Sequence, residues 1–183
     1  MIIPNIERKP EIERKFLLSD LPRVIKDREY LKYSLIHQSY FETKSEDFSL
    51  RIRHELVRFD RTDLIPPPKD YLTFKSGIVD RLESEIQIDG KTADILYKAL
   101  PHRDITKMRY VMAKHPLEIV VDAFYENNAT PARNEIMIKP YLYLAEIEKK
   151  ANVEWGEIPD YIKEVLIREV TDEPEYLNVN LAK

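Results

Sequence analysis

The stretch E-I-E-R-K-F-L-L at residues 11–18 puts Glu11, Glu13 and Lys15 on one parity and Ile12 and Phe16 on the other. Alternation at period two is the mark of a β-strand with two unlike faces. The same device recurs along the chain. Arg51 and Arg53 oppose Leu50 and Ile52; Lys75 opposes Leu72 and Phe74; Arg81, Glu83 and Glu85 oppose Leu82 and Ile86. Lys107 and Arg109 oppose Met108 and Tyr110, Asp122 lies between Val121 and Ala123, and Glu146 and Glu148 oppose Ala145 and Ile147. Eight strands follow: 11–18, 34–41, 48–58, 70–75, 81–88, 104–113, 117–125 and 142–149.

Three helices are expected between them. The first runs from about Leu21 to Tyr33, with Asp20 as cap and Pro22 in its first turn. The second follows the Asp89–Gly90 turn, capped by Thr92 and stopped by Pro101. The third runs from about Asp160 to Glu169. Pro66–Pro68 and Asn127–Arg133 read as loops. The fold class expected is β-rich α+β: a closed eight-stranded antiparallel barrel with helices packed outside. A plain β-sandwich with its charges in solvent is the alternative.

Composition narrows the chemistry. The chain has 183 residues, of which 34% are charged, yet 29 bases against 33 acids leave a net charge of −4. That share exceeds the usual ~25%, and its balance argues against a nucleic-acid-coating protein. With no cysteine, thiol nucleophiles, disulfides and cysteine-held metals are excluded. Three glycines form neither a G-x-G-x-x-G nor a Walker loop. No secretory h-region and no ~20-residue apolar span appears, so a cytoplasmic protein without membrane contact is expected.

On a single strand, charge on one face usually means solvent. Here the charges recur as like-sign pairs two residues apart: EIE, RIR, ESE, KMR, EIE. Outer helices would let the apolar face be the outside, and a bore of about eight strands holds one small ligand. The inner acids would be Glu11, Glu13, Glu83, Glu85, Asp122, Glu146 and Glu148. The inner bases would be Lys15, Arg51, Arg53, Lys75, Arg81, Lys107 and Arg109. Like charges ~4 Å apart repel by about 4 kcal/mol at an effective dielectric of 20, so each cluster needs counterions. Hard divalent cations suit carboxylates, and phosphate oxygens suit guanidinium forks. The pattern points to a metal-dependent phosphate-ester or polyphosphate site.

Residues 11–16, EIERKF, open a series that resembles the CYTH, or triphosphate tunnel metalloenzyme, superfamily. QSY at 38–40, RIR at 51–53, TFK at 73–75, RLESEIQID at 81–89, KMRY at 107–110, VDAF at 121–124, LAEIE at 144–148 and EVTDEPEYLN at 169–178 follow in order. The likeness is greatest to the bacterial inorganic tripolyphosphatase branch. It implies a single tunnel domain over 11–183 behind a leader at 1–10, and hydrolysis of a triphosphate with Mg²⁺ or Mn²⁺. It implies that Arg51, Arg53, Lys75, Arg81, Lys107 and Arg109 hold substrate, and that Glu11, Glu13, Asp122, Glu146 and Glu148 hold metal. Lys15 beside Tyr40 would be a proton acceptor of depressed pKa, and Glu83 and Glu85 would help place water or a second cation. Thiamine triphosphate hydrolysis, adenylate cyclisation and non-catalytic polyphosphate binding are the competing activities. The partner is a small-molecule triphosphate, and a homodimer is left open. His37, His54, His102 and His115 lie in no ligand spacing and read as surface or packing residues; Trp155 and Tyr161 read as helix packing.

Overall fold

The computed structural model describes residues 12–43, 48–58, 66–76, 82–113, 116–126, 139–149 and 152–183, the side chains of 82 and 83 excepted. Among the described residues nine strands form one antiparallel sheet: β1 (Ile12–Leu18), β2 (Lys32–Phe41), β3 (Phe48–Arg58), β4 (Lys69–Ser76), β5 (Leu82–Ile88), β6 (His102–Ala113), β7 (Leu117–Tyr125), β8 (Leu142–Lys149) and β9 (Leu166–Glu169). Their order is β5-β4-β3-β2-β6-β7-β8-β1-β9.

Eight of these match the expected strands, three of them residue for residue at 48–58, 117–125 and 142–149. The ninth overturns the closed eight-stranded barrel. β9 pairs with β1 through Phe16↔Glu169, Leu17↔Arg168 and Leu18↔Leu166. Val170 N–H donates to Lys15 O, and Lys15 N–H to Thr171 Oγ1. The β1 edge is thereby filled from Lys15 to Leu18, which leaves no ladder there for β5. The sheet is open, with β5 and β9 as its edges.

Two expected helices are also shorter. α1 is Arg23–Lys26; Arg28, at a left-handed φ of 63°, turns the chain into β2. Tyr30 and Tyr33 then stack edge-on with 5.7 Å between ring centroids, packing that suits an extended segment. α3 is Asp160–Lys163, and Leu166–Glu169 becomes β9 because the β1 edge supplies the backbone partners that a helix would otherwise supply. α2 (Gly90–Ala99) is capped by Asp89, whose carboxylate accepts from Lys91 N–H and Thr92 N–H; Thr92, the expected cap, donates its hydroxyl to Asp89.

The outer face of the sheet is mainly apolar. Phe16, Leu18, Met108, Tyr110, Val121, Ala123, Ala145 and Ile147 pack there beneath Ile25 of α1 and Ile162 of α3, with Trp155 and Tyr161 alongside. Phe41, Ile52 and Leu72 pack beneath Ala93, Leu96 and Tyr97 of α2. On the same face His37 meets Thr106 and lies 3.7 Å from Asp104, His54 meets Asp70, and His102 meets Leu100 O and lies 3.8 Å from Asp104; His115 lies outside the described residues. The other face carries the charges. One end of it is covered by a 3₁₀ turn (Pro174–Tyr176) and α4 (Asn178–Leu181), where Val170 and Ala182 pack on Tyr40, Ile105, Phe124 and Leu144.

Phe16 is fully buried where β1, α1 and α3 meet the sheet. Phe16→Ala is expected to cost about 3–5 kcal/mol in urea denaturation; a loss under ~1 kcal/mol would contradict this placement of the core.

Candidate functional site

Strand register places the charged residues before any side chain is considered. Lys15 lies opposite Glu146, Glu13 opposite Glu148, and Arg109 opposite Asp122. Arg51 lies between Tyr40 and Thr73, and Lys75 between Ser49 and Glu83. All of these share the inner parity.

The densest part is an ion network on β1, β6, β7 and β8. Asp122 is fully buried, and Lys107 is 1% exposed. Lys107 Nζ donates to Asp122 Oδ2 at 2.7 Å; Arg109 grips both Asp122 oxygens at 2.7 and 2.6 Å and reaches Glu146 Oε2 at 2.6 Å. Lys15 Nζ lies 3.3 Å from Glu146 and 3.6 Å from Glu13. Three cations thus face three carboxylates. Lys107 also reaches Asn178 Oδ1 of α4 at 3.4 Å. A second cluster joins Arg53 Nη2 to Glu85 Oε1 at 2.9 Å, with Thr73 Oγ1 donating to Glu85 Oε2. Between the two clusters the face encloses a pocket of ≈ 170 Å³ lined by Lys32, Ser34, Ile36, Arg53, Glu55, Arg109, Val111 and Glu118.

The titration of these groups follows from their neighbours. Burial, with Arg109 beside it, pushes Lys107 down to about 8. Burial also lowers Lys15, but Glu146 and Glu13 outweigh it and hold the ammonium above its ordinary value. The depressed lysine is therefore Lys107, a correction to the expectation for Lys15. Burial alone would raise Glu146; Arg109, Lys107 and Lys15 reverse this and hold it well below the carboxylate range.

Of the residues singled out by sequence, Glu13, Lys15, Lys107, Arg109, Asp122 and Glu146 form the one network, and Arg53 and Glu85 the other. Arg51 and Lys75 lie on the same face by register, and Glu148 stands between Glu13 and Glu118 in one cross-sheet row. Tyr40 sits on β2 and packs into the apolar cluster under α4, against which Leu17 of β1 also packs. Glu11 and Arg81 lie outside the described residues, as does the Glu83 side chain. Sequence reading missed Lys32, Glu55, Glu118 and Asn178. Glu55 and Glu118 were accessible to it: each continues the parity of Arg53 and Asp122.

Fold and site define an open antiparallel sheet with one apolar, helix-covered face and one face of matched cations and carboxylates. In sequence the chain is 34% identical over 101 residues to the inorganic triphosphatase of Nitrosomonas europaea, covering 55% of this chain and 56% of that protein. The match therefore spans little more than half of either protein. The crystal structure of the inorganic triphosphatase NE1496 resembles this one at a TM-score of 0.55 and 25% identity, over 100% of this chain and 95% of that one. The PH1819 protein from Pyrococcus horikoshii OT3 shares the fold at a TM-score of 0.52 and 20% identity, over 84% of this chain and 82% of that one. No protein-family model matches the chain. Among the described residues no helix is long and apolar enough to cross a membrane.

Two outcomes follow for the metal-free chain. Asp122→Ala strands Lys107 without its carboxylate and is expected to cost about 3–5 kcal/mol in urea denaturation, part of it restored by adding Lys107→Met; a near-neutral Asp122→Ala contradicts the network. Because the folded-state pKa of Glu146 is depressed, its contribution is present above the unfolded carboxylate value of about 4.3 and lost as pH falls below it. Melting curves from pH 6 to 3 should fall more steeply for the native chain than for Glu146→Gln; parallel curves would refute the assignment.

Proposed function

We propose that the chain hydrolyses a triphosphate, inorganic tripolyphosphate foremost, to diphosphate and phosphate on the inner face of the sheet. The observation that carries this reading is the Lys107–Asp122–Arg109–Glu146–Lys15 network on the face that also bears Arg51, Arg53 and Lys75. The likeness to the inorganic triphosphatase of Nitrosomonas europaea supports it.

In the network each cation is matched by a carboxylate. A bound polyphosphate offers the cations a stronger set of oxygens, and guanidinium forks suit phosphoryl oxygens in bidentate fashion. Arg53, Lys75, Lys107 and Arg109, with Arg51 alongside, hold the chain of phosphoryl groups in this reading. Glu146, Asp122 and Glu13 are then released from their bases and need a new positive partner.

A divalent cation fits that need. Among the described residues no three His, Asp or Glu side chains gather into a metal-holding group. Mg²⁺ usually takes one or two carboxylates plus substrate phosphates instead of an all-protein cage, and Glu13 and Glu148, directly opposite on β1 and β8, offer such oxygens beside Glu146. Mg²⁺ or Mn²⁺ held there would supply Lewis-acid neutralisation of the phosphoryl charge. Lys107 is, in this reading, the lysine that moves a proton near neutral pH, since its carboxylates, unlike those facing Lys15, do not outweigh burial and the neighbouring Arg109. Lys15 positions Glu146, and Glu85 positions Arg53. Tyr40 walls the apolar end of the site.

Among the described residues the pocket lining offers no aromatic ring for a nucleobase or a thiamine to stack on, which supports a bare polyphosphate. Phosphate release from tripolyphosphate, ATP and thiamine triphosphate, each with Mg²⁺, with Mn²⁺ and with chelator, tests the reading. Metal-dependent release from tripolyphosphate exceeding that from ATP by at least ~10-fold is expected. Equal release with chelator would remove the metal from the account. No release from any of the three would remove the activity.

A further inference from the structure

Gln38 lies midway along the inner side of β2, opposite Arg53 on β3 and Ile105 on β6. It is 3% exposed. Among the described residues its Oε1 is buried with no hydrogen-bond partner, and so is Nε of Arg53, its cross-strand neighbour. The Glu55 carboxylate stands 3.9 Å from that Nε, beyond hydrogen-bonding range. A buried amide left unpaired forfeits the full desolvation of its polar atoms. Two such atoms on directly opposed residues mark a place that something else completes.

We propose that Gln38 binds a phosphoryl oxygen of the substrate jointly with Arg53, an inference that rests on the reading of this face as a triphosphate site. The two ends of a carboxamide are nearly isosteric, and a half-turn about its last torsion exchanges acceptor for donors without moving the heavy atoms. Gln38 then presents N–H groups to the oxygen that also accepts from Arg53 Nε. The position suits a neutral donor. Arg53 stands directly opposite, Arg51 opposite the next inner residue, Tyr40, and Lys107 opposite the preceding one, Ile36. A further cation here would be repelled by all three, whereas an amide adds a hydrogen bond without adding charge. A water bridging the two atoms would satisfy them equally well and is the rival that the experiment must separate.

The test compares Gln38→Met, which keeps the shape and removes the hydrogen bonds, with Gln38→Glu, which keeps the shape and leaves only acceptors. Steady-state kinetics with tripolyphosphate are read beside melting temperature and calorimetric binding of tripolyphosphate. Hydrogen bonds to charged groups are the strong ones, so KM is expected to rise about tenfold in Gln38→Met and further in Gln38→Glu, with kcat within about twofold. Melting temperature should hold or rise in Gln38→Met, because an unpaired buried polar group has been removed. Native KM and binding in Gln38→Met would overturn the inference and leave the triphosphate site standing. A KM rise matched by a lowered melting temperature would assign Gln38 to structure alone. A native chain that neither binds nor cleaves tripolyphosphate would overturn the site itself, and the role of Gln38 with it.

Discussion

Asp122 is a carboxylate removed from water and held between an ammonium and a guanidinium. An isolated buried ion costs several kcal/mol, so Asp122, Lys107 and Arg109 are mutually obligatory. Once Arg109 is fixed by Asp122, the same Nη2 that donates to Asp122 also donates to Glu146, and Glu146 fixes Lys15. Four strands are tied together through one set of charges. Elsewhere the same sheet is held by ordinary apolar packing beneath α1, α2 and α3. The two faces are thus unlike: one is mainly apolar, and the other carries the charges beside a smaller apolar cluster.

This division explains how much was legible in the sequence. The expected strands Phe48–Arg58, Leu117–Tyr125 and Leu142–Lys149 coincide with the observed ones. Parity also put Lys107, Arg109, Asp122 and Glu146 on one face, because a strand leaves no other choice. Periodicity cannot report what pairs with the last strand. Leu166–Glu169 is four residues long and continues a helix-like run, so only the unfilled edge of β1 gives it an identity. The open nine-stranded sheet follows from that one tertiary contact. The expected helix at 21–33 failed for a related reason: Arg28 breaks it locally, and tyrosines beyond it find partners in the sheet.

The site shows the same limit. The sequence names the charged residues but not their partners. Lys15 looked like the perturbed base because cations lay near it in the ladder, yet two carboxylates face it across β1 and β8. The cation-crowded lysine is Lys107, whose neighbour Arg109 competes for the same carboxylate. Asn178 reaches Lys107 only because the C-terminal segment folds back over β6, where Asp104 and Lys183 exchange backbone hydrogen bonds.

The central proposal is that these cations, with Arg53 and Lys75, form one anion-binding surface on the charged face of the sheet. A ligand that binds only the folded chain raises its melting temperature as its concentration grows. The direct measurement is the melting temperature of the metal-free chain titrated with tripolyphosphate, run beside a variant with Arg53→Ala and Lys75→Ala. The account predicts a steady rise for the intact chain and little or none for the variant. A flat titration of the intact chain, or the same rise in both, would contradict it.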